Sequence, residues 1–417
     1  MKAEGNKSLL KNTTMLYILT FSNYFFGLVT VPYLTRILGP SVYGNVSVGQ
    51  AFSTYIQLFL DFGFILSATA EIAQNRDDKR KVFNIFITVM CCKILLILIS
   101  LVVVITLISY VPFLQSDAYL FFFFWAYVAV NSLLPDFLYR GLERMEVITV
   151  RTVILKMVFT VCVFVFIKDK TQYLLVPVFY LCGAFFSVLF VLVDILKNIK
   201  IEITRVTFAD IFREFKNSGM YFVSRIAGTV YSALNMIVLG AVLPGSVSLG
   251  YYSASEKLLT AGRGAITPVT DSLYPYMVNK KDYRLAKKII IYGTSILLIG
   301  CTVIGVFAEN VCVLLFGAEY GNAANILRLM LPLIVTALPN YVIAFPVLTP
   351  LGMAKYANIA VVVGAIVQAL GILVLYFCSN INVHSICILT LFTEVIVVAI
   401  RVGAALVGIK RKKMEMQ

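Results

Sequence analysis

Along the chain, long apolar runs alternate with short breaks rich in charge, glycine, proline and asparagine. The runs fall at approximately 14–38, 46–70, 82–111, 118–139, 150–167, 173–195, 218–243, 250–278, 287–308, 324–348, 356–378 and 384–408. A helix rises about 1.5 Å per residue, so roughly 20 apolar residues cross a hydrocarbon core. The pattern predicts twelve transmembrane helices, with connections too short for a large soluble domain. The longest gap, about 196–217, contains VTFADIFREF at 206–215, whose spacing predicts a short amphipathic helix at the interface.

Six runs precede that gap and six follow it. The expected organisation is a six-helix lobe over 1–200, a cytoplasmic amphipathic linker over 201–217 and a second six-helix lobe over 218–417. An offset of 201 places Phe21 over Phe222, Gly27 over Gly228, Val29 over Val230 and Leu38-Gly39 over Leu239-Gly240. After five extra residues in the second copy, Tyr43-Gly44 lies over Leu249-Gly250. Six is even, so both lobes enter the membrane in the same sense, as in a parallel repeat about an axis along the membrane normal.

Composition agrees with the pattern. Of 417 residues, 60% are hydrophobic and 13% charged, and the mean hydropathy is +0.91. Soluble domains are about half apolar and about a quarter charged. The formal charge of +14 does not point to nucleic acid, which needs a basic solvated face. With the N-terminus inside, 25 of the 35 basic residues lie in the two tails and in or at the edges of the even-numbered gaps, Arg151, Lys287 and Lys288 among them, against three, Arg36, Lys168 and Lys170, on the other side. That asymmetry predicts cytoplasmic N- and C-termini. The single histidine, His384, excludes mechanisms that need several. The eight cysteines form no CxxC or Cys/His cluster, so they read as apolar filler, with no metal site. The N-terminal MKAEGNKSLLKNTTMLYILT resembles a signal peptide but lacks a small-residue cleavage site, and reads as a retained first span.

Seven basic residues remain at membrane depth: Lys93, Lys156, Arg225, Lys257, Arg263, Arg328 and Arg401. Each costs about 2.5–3.5 kcal/mol when central and uncompensated. Lys156, Arg328 and Arg401 lie within about two turns of a span end and are expected to snorkel; Lys93 is expected to snorkel or pair. Arg225, Lys257 and Arg263 gather in the two helices that open the second lobe, where a solvated cavity is the economical explanation. Helical spacing puts Ser224, Gly228, Tyr231 and Asn235 on one stripe, with Tyr221, Arg225 and Ser232 on an adjoining face. Span one carries Thr20, Asn23, Gly27 and Thr30 at the same spacing. Two readings stand: small-residue packing between helices, or facing walls of a cavity. Glu256 and Arg263 are nearly aligned two turns apart. Acidic residues at or near membrane depth are Asp61, Glu71, Asp136, Asp194, Glu256, Asp271 and Glu394; any of these can bind a coupling cation or pair with arginine. Pro268 and Pro275, and the four prolines around span ten, favour kinks.

Several strings, in order, resemble bacterial Wzx-type polysaccharide flippases. They are Pro32-Tyr33-Leu34-Thr35-Arg36-Ile37-Leu38-Gly39-Pro40 with Tyr43-Gly44, Asp61-Phe62-Gly63-Phe64, Arg140-Gly141-Leu142-Glu143-Arg144-Met145, and Leu249-Gly250-Tyr251-Tyr252 with Glu256-Lys257-Leu258. The similarity extends over nearly the whole chain. It implies an all-α polytopic membrane protein with about twelve transmembrane helices in two six-helix lobes around a central cavity. The implied activity is alternating-access transport of an undecaprenyl-pyrophosphate-linked oligosaccharide from the cytoplasmic to the outer leaflet of the bacterial inner membrane, for O-antigen or capsular polysaccharide. A polysaccharide polymerase and chain-length machinery are the implied partners.

On this reading Arg225 and Arg263 hold the anionic head, Lys257 supports them and Arg36 acts at a gate, because guanidinium offers bidentate geometry to phosphate. Tyr221, Tyr231 and Asn235 meet sugar, with Asn23 opposite. Asp61 and Glu256 are the candidates for coupling to H+ or Na+, and no other cofactor is implied. One alternative is a multidrug or cation exporter on the same fold, which would need a net acidic cavity. The other is a membrane polysaccharide polymerase or glycosyltransferase, which would carry a sizeable outer loop with catalytic charges; the longest outer segment, about 309–323, has no Arg, Lys or His.

Overall fold

The computed structural model describes the backbone of residues 2–198 and 206–415, and their side chains except at 2–10, 198, 223–224, 227–232 and 412–415. Every regular element among the described residues is helical. Nine helices among them are long and apolar enough to cross a membrane. The first, Lys11–Gln74, holds the first two expected spans in one tract. Expected spans seven and eight fall outside the nine; they coincide with Phe208–Val242 and Val247–Lys280, 35 and 34 residues long, which carry the polar stripes. The chain is an all-α polytopic membrane protein, and the twelve apolar runs account for its long helices.

Packing divides the chain into two compact units, Met1–Leu38 with Val46–Thr229, and Gly39–Asn45 with Val230–Gln417. Of the expected boundary at 201–217, residues 201–205 lie outside the described residues; the packing units part between residues 229 and 230.

Unit one contains α1 (Lys2–Asp61), α2 (Phe64–Gln74), α3 (Lys79–Tyr110), α4 (Pro112–Gln115), α5 (Ala118–Ser132), α6 (Asp136–Gly141), α7 (Met145–Phe166), α8 (Leu175–Asn198) and the first part of α9 (Phe208–Val242). Gly39, at φ 68° and ψ 168°, breaks α1 between the first two spans. The second span is interrupted again at Phe62 (φ 39°) and Gly63 (φ 82°). A Cβ on Gly63 would lie 2.8 Å from both the Ser218 carbonyl oxygen and Tyr221 Cβ, so the break packs directly on the α9 backbone. Phe62 stacks on Phe222 at 4.4 Å. The core beneath contains Leu60, Phe64, Ile72, Phe86, Cys92 and Phe137.

The separate interfacial helix expected over 206–215 is instead the opening of α9. The Thr207 N–H donates to Asp210 Oδ2 (3.0 Å) and the Asp210 N–H to Thr207 Oγ1 (3.3 Å), a reciprocal cap. No proline follows before Val242, so the helix runs on into the membrane.

Unit two contains Gly39–Asn45, the rest of α9, α10 (Val247–Lys280), α11 (Tyr283–Val306), α12 (Ala308–Phe316), α13 (Ala323–Val342), which continues into a π turn at Ile343–Val347, α14 (Ala354–Phe377) and α15 (Val383–Glu415). The segment expected as an outer loop at 309–323 holds α12 and a 3₁₀ turn, anchored by buried Cys312, Phe316 and Tyr320. Pro268 and Pro275 are accommodated inside a continuous α10. Positions paired by the 201-residue offset and its insertion meet within this unit. A Cβ on Gly250 would lie 2.0 Å from the Pro40 oxygen, and one on Gly44 2.8 Å from the Gly250 nitrogen. The Gly-Pro and Leu-Gly strings thus serve a close backbone contact.

Candidate functional site

Buried charge concentrates in two networks, one in each unit. In unit one, Asp61 is the last residue of α1 before the break at Phe62, with Arg225 of α9 beside it, Nη1 to Oδ2 3.6 Å. Gln57 Nε2 donates to Asp61 Oδ1 (2.9 Å), and Asn131 Nδ2 on α5 donates to Gln57 Oε1 (3.0 Å). That Nη1 is buried and, at 3.6 Å from the carboxylate, has no hydrogen-bond acceptor among the described residues. Close by in charge are Lys93 and Asp136. Lys93 does not snorkel: it is 4% exposed and donates to the Ser132 (2.6 Å) and Leu134 (3.4 Å) carbonyls, where Pro135 ends α5. Its ammonium satisfies the carbonyls left open at that helix end. Arg151, counted above with the cytoplasmic charges, is 6% exposed and grips Asp136 through both carboxylate oxygens, at 3.0 and 3.4 Å.

In unit two, Arg263 of α10 donates from Nη2 to Glu394 Oε1 of α15 at 2.6 Å. Asn340 Nδ2 of α13 donates to the other oxygen at 3.0 Å. Glu394 is 3% exposed, so this carboxylate is fully committed. The sequence offered Glu256 as the nearest acid by helical register; the tertiary partner is Glu394, which reaches Arg263 from another helix. Arg263 Nε remains buried without an acceptor among the described residues. Arg401 does not snorkel: it is 6% exposed and bonds the Asn340 side chain, the Asn340 carbonyl (3.1 Å) and the Ala357 carbonyl (3.1 Å). α10, α13, α14 and α15 are thereby tied through one run of charge and amide. Arg328 bonds the Gly305 carbonyl at 2.9 Å and Asn325 at 3.1 Å.

The remaining candidates are placed less centrally. Lys257 is half-buried, and its charge and that of Arg263 act on the deeply enclosed Glu256. Arg36 and Asn23 are exposed, as is Tyr221, which leans on Gly63. Asn235 is buried, donating to Thr390 Oγ1 (2.9 Å) and accepting from Gln368 Nε2 (2.8 Å). It is enclosed by its own unit instead of being presented to a sugar. Thr393 closes that network by donating to Gln368 Oε1 at 2.8 Å. The side chain of Tyr231 lies outside the described residues. Sequence reasoning missed Gln57, Asn131, Asn340 and Gln368 as partners of these groups. Isolated amides within apolar runs were the available signal, since such groups need partners at membrane depth. No cluster of three or more His, Cys, Asp or Glu suited to a metal occurs among the described residues.

Chemically, Arg225 and Arg263 each stand against one carboxylate, and each keeps a buried guanidinium N–H without a hydrogen-bond acceptor among the described residues. Such a donor costs about 1–3 kcal/mol until an acceptor arrives, and an oxyanion is the acceptor that guanidinium binds most strongly.

A family model described as "Polysaccharide biosynthesis protein" matches residues 9–281. A protein of Escherichia coli (strain K12) named "Putative O-antigen transporter" is 27% identical over 332 residues, 78% of this chain and 80% of its own length. A protein of the same name from Shigella dysenteriae is 26% identical over 400 residues, 93% of this chain and 98% of its own. Among solved structures, the lipid II flippase MurJ in an inward closed conformation superposes with a TM-score of 0.70 at 11% identity, covering 93% of this chain and 86% of that one. An inward-facing multidrug resistance MATE family transporter of the MOP superfamily gives 0.66 at 15% identity, covering 93% of each. At these identities the solved structures speak for the fold alone.

Proposed function

The chain belongs to the polysaccharide biosynthesis protein family, and we propose that within it this protein is a flippase. Its passenger is an undecaprenyl-pyrophosphate-linked oligosaccharide repeat unit, carried from the cytoplasmic to the outer leaflet of the bacterial inner membrane by alternating access, with both termini cytoplasmic. The observation that carries the reading is the pair of membrane-depth arginines, Arg225 and Arg263, one in each packing unit, each against a single acid and each with a buried donor left open. A pyrophosphate supplies several acceptor oxygens in the geometry a guanidinium fork matches, whereas a cationic drug would add like charge beside both. The names of the two relatives point to the same class of passenger.

On this reading Asp61 and Glu394 occupy the arginines while the passenger is absent. The head displaces the acid from the arginine it meets, and the freed carboxylate at membrane depth takes up a cation, H+ or Na+, which supplies the coupling. Glu256, beside the charges of Lys257 and Arg263, is the second acid available for that role. Lys257 adds positive charge on α10.

The deciding experiment replaces Arg225 and Arg263 singly by alanine. Each variant should abolish surface polysaccharide at unchanged protein abundance and leave lipid-linked oligosaccharide facing the cytoplasm. Full transport by both variants, or normal export with only polymerisation lost, overturns the reading.

A further inference from the structure

Within unit one, α5, α7 and α8 enclose a cavity of about 130 Å³. Its size is close to that of an engineered cavity of about 150 Å³ that accepts benzene, so it has room for one six-membered ring. Helical phase shows which way it faces. On α7, exposed Val150, Ile154, Met157, Val158 and Val161 form one stripe, while the cavity-lining Thr152, Leu155, Lys156 and Phe159 lie on the far side. On α8, exposed Phe185, Phe186, Leu189 and Phe190 point away from the lining residues Tyr180, Gly183, Ala184 and Ser187. The cavity therefore faces into the unit, away from the apolar stripes suited to acyl chains, so a lipid tail is not its occupant.

The lining specifies that occupant further. Lys156, expected to snorkel, points into the cavity and has neither an ion pair nor a hydrogen bond among the described residues. Neighbouring Arg151 is already neutralised by Asp136, so the cavity keeps an uncompensated positive charge. Tyr127 is deeply enclosed, and its hydroxyl has no hydrogen-bond partner among the described residues. Asn131 spends its amide hydrogen on Gln57 and leaves its carbonyl oxygen open. Phe159, Tyr180 and Tyr127 form a ring wall, with centroid separations of 4.1 and 5.2 Å. An aromatic wall, hydroxyl and amide groups, and one ammonium unpaired among the described residues match a single pyranose ring that bears a carboxylate.

We infer that this cavity is a selectivity site for an acidic sugar of the passenger, with Lys156 on the sugar carboxylate. Asn131 connects the site to the Asp61–Arg225 pair through Gln57, so an occupied cavity bears on the group that holds the head. The inference rests on the proposed transport function, but sugar binding can be measured without transport.

The full-length protein in lipid nanodiscs is titrated calorimetrically with glucuronate, glucose and acetate. Glucuronate should bind at least tenfold more tightly than either of the others. Lys156→Met, which keeps the apolar stem, should reduce glucuronate binding tenfold or more. Gly183→Leu should do the same by filling the space, since nothing lies within 4 Å of a Cβ there. If the leucine variant is destabilised, the methionine variant carries the test. Arg263→Ala, in the other unit, should lose transport yet keep glucuronate binding, so failure of the transport reading and failure of the cavity reading are distinguishable. Equal binding of glucuronate, glucose and acetate, or undiminished glucuronate binding by Lys156→Met, overturns the site. Unimpaired transport by a folded Gly183→Leu overturns its assignment to the passenger.

Discussion

The Arg263–Glu394 pair yields a prediction that separates stability from function. Glu394 is 3% exposed, and both its oxygens are engaged, by Arg263 at 2.6 Å and Asn340 at 3.0 Å. Removing one partner of such a pair leaves an uncompensated buried charge, which costs about 3–5 kcal/mol. Glu394→Ala and Arg263→Ala should each fall in that range. Replacing both together by leucine removes the stranded charge along with its partner and should return stability to within about 1–2 kcal/mol of wild type. The Asp61–Arg225 pair is longer, 3.6 Å, and its arginine is about a third exposed, so solvent screens it and Arg225→Ala should cost only about 1 kcal/mol. Unfolding by titration with sodium dodecyl sulfate in mixed micelles measures all four variants on one scale. None of the three that lack Arg263 or Arg225 should transport, including the stable double variant. Single losses at 263 and 394 below about 1 kcal/mol, or a double variant as unstable as the sum of the two, would refute the account of a closed, desolvated pair.

Asp61→Asn removes the charge that competes for Arg225, so binding of inorganic pyrophosphate should tighten severalfold while turnover is lost; calorimetry and leaflet-specific labelling of lipid-linked oligosaccharide report the two effects. Gly250→Ala places a methyl 2.0 Å from the Pro40 oxygen, a backbone atom that cannot rotate away, and should destabilise unit two by about 1–3 kcal/mol, read from the same detergent titration. Lys93→Met strips the ammonium from the Ser132 and Leu134 carbonyls, and the loss of at least one hydrogen bond to a charged donor should cost about 1.5–3 kcal/mol. Hydrogen bonds from Thr207 hold the Asp210 carboxyl below its ordinary range. The folded state thus binds its proton less readily than the unfolded one, and the cap stabilises α9 at neutral pH and is lost as pH falls through that depressed value. Protection of the amides at 208–211, measured against their intrinsic exchange rate at each pH, should fall on acidification, and in Thr207→Ala should be low at every pH.

Hydropathy made the span count legible because a bilayer imposes one length on every crossing element. Arg225, Lys257 and Arg263 were legible as exceptional for the same reason: charge at that depth needs an explanation. Their partners were not. Asp61 sits 164 positions before Arg225 in the sequence and Glu394 lies 131 positions after Arg263, and no periodicity connects such pairs. Glu256 was the acid that helical register favoured, yet register compares positions on one helix, and a carboxylate from α15 lies closer. Asn235 matched a cavity-wall stripe, but small-residue packing and a cavity wall leave the same pattern; contact with Gln368 and Thr390 shows it enclosed. Lys156 and Arg401 stood near span ends, where snorkelling is the default. Arg401 is instead drawn inward by carbonyls of other helices, and Lys156 by space beside Gly183.

By itself, the sequence determined class, span count and the short list of charges that membrane burial makes costly, because these depend on transfer free energies summed along the chain. Tertiary structure decided which of those charges are neutralised, by whom, and which donors remain open. Those outcomes depend on distances of a few ångströms between helices remote in sequence, where electrostatic energy changes steeply with separation and burial.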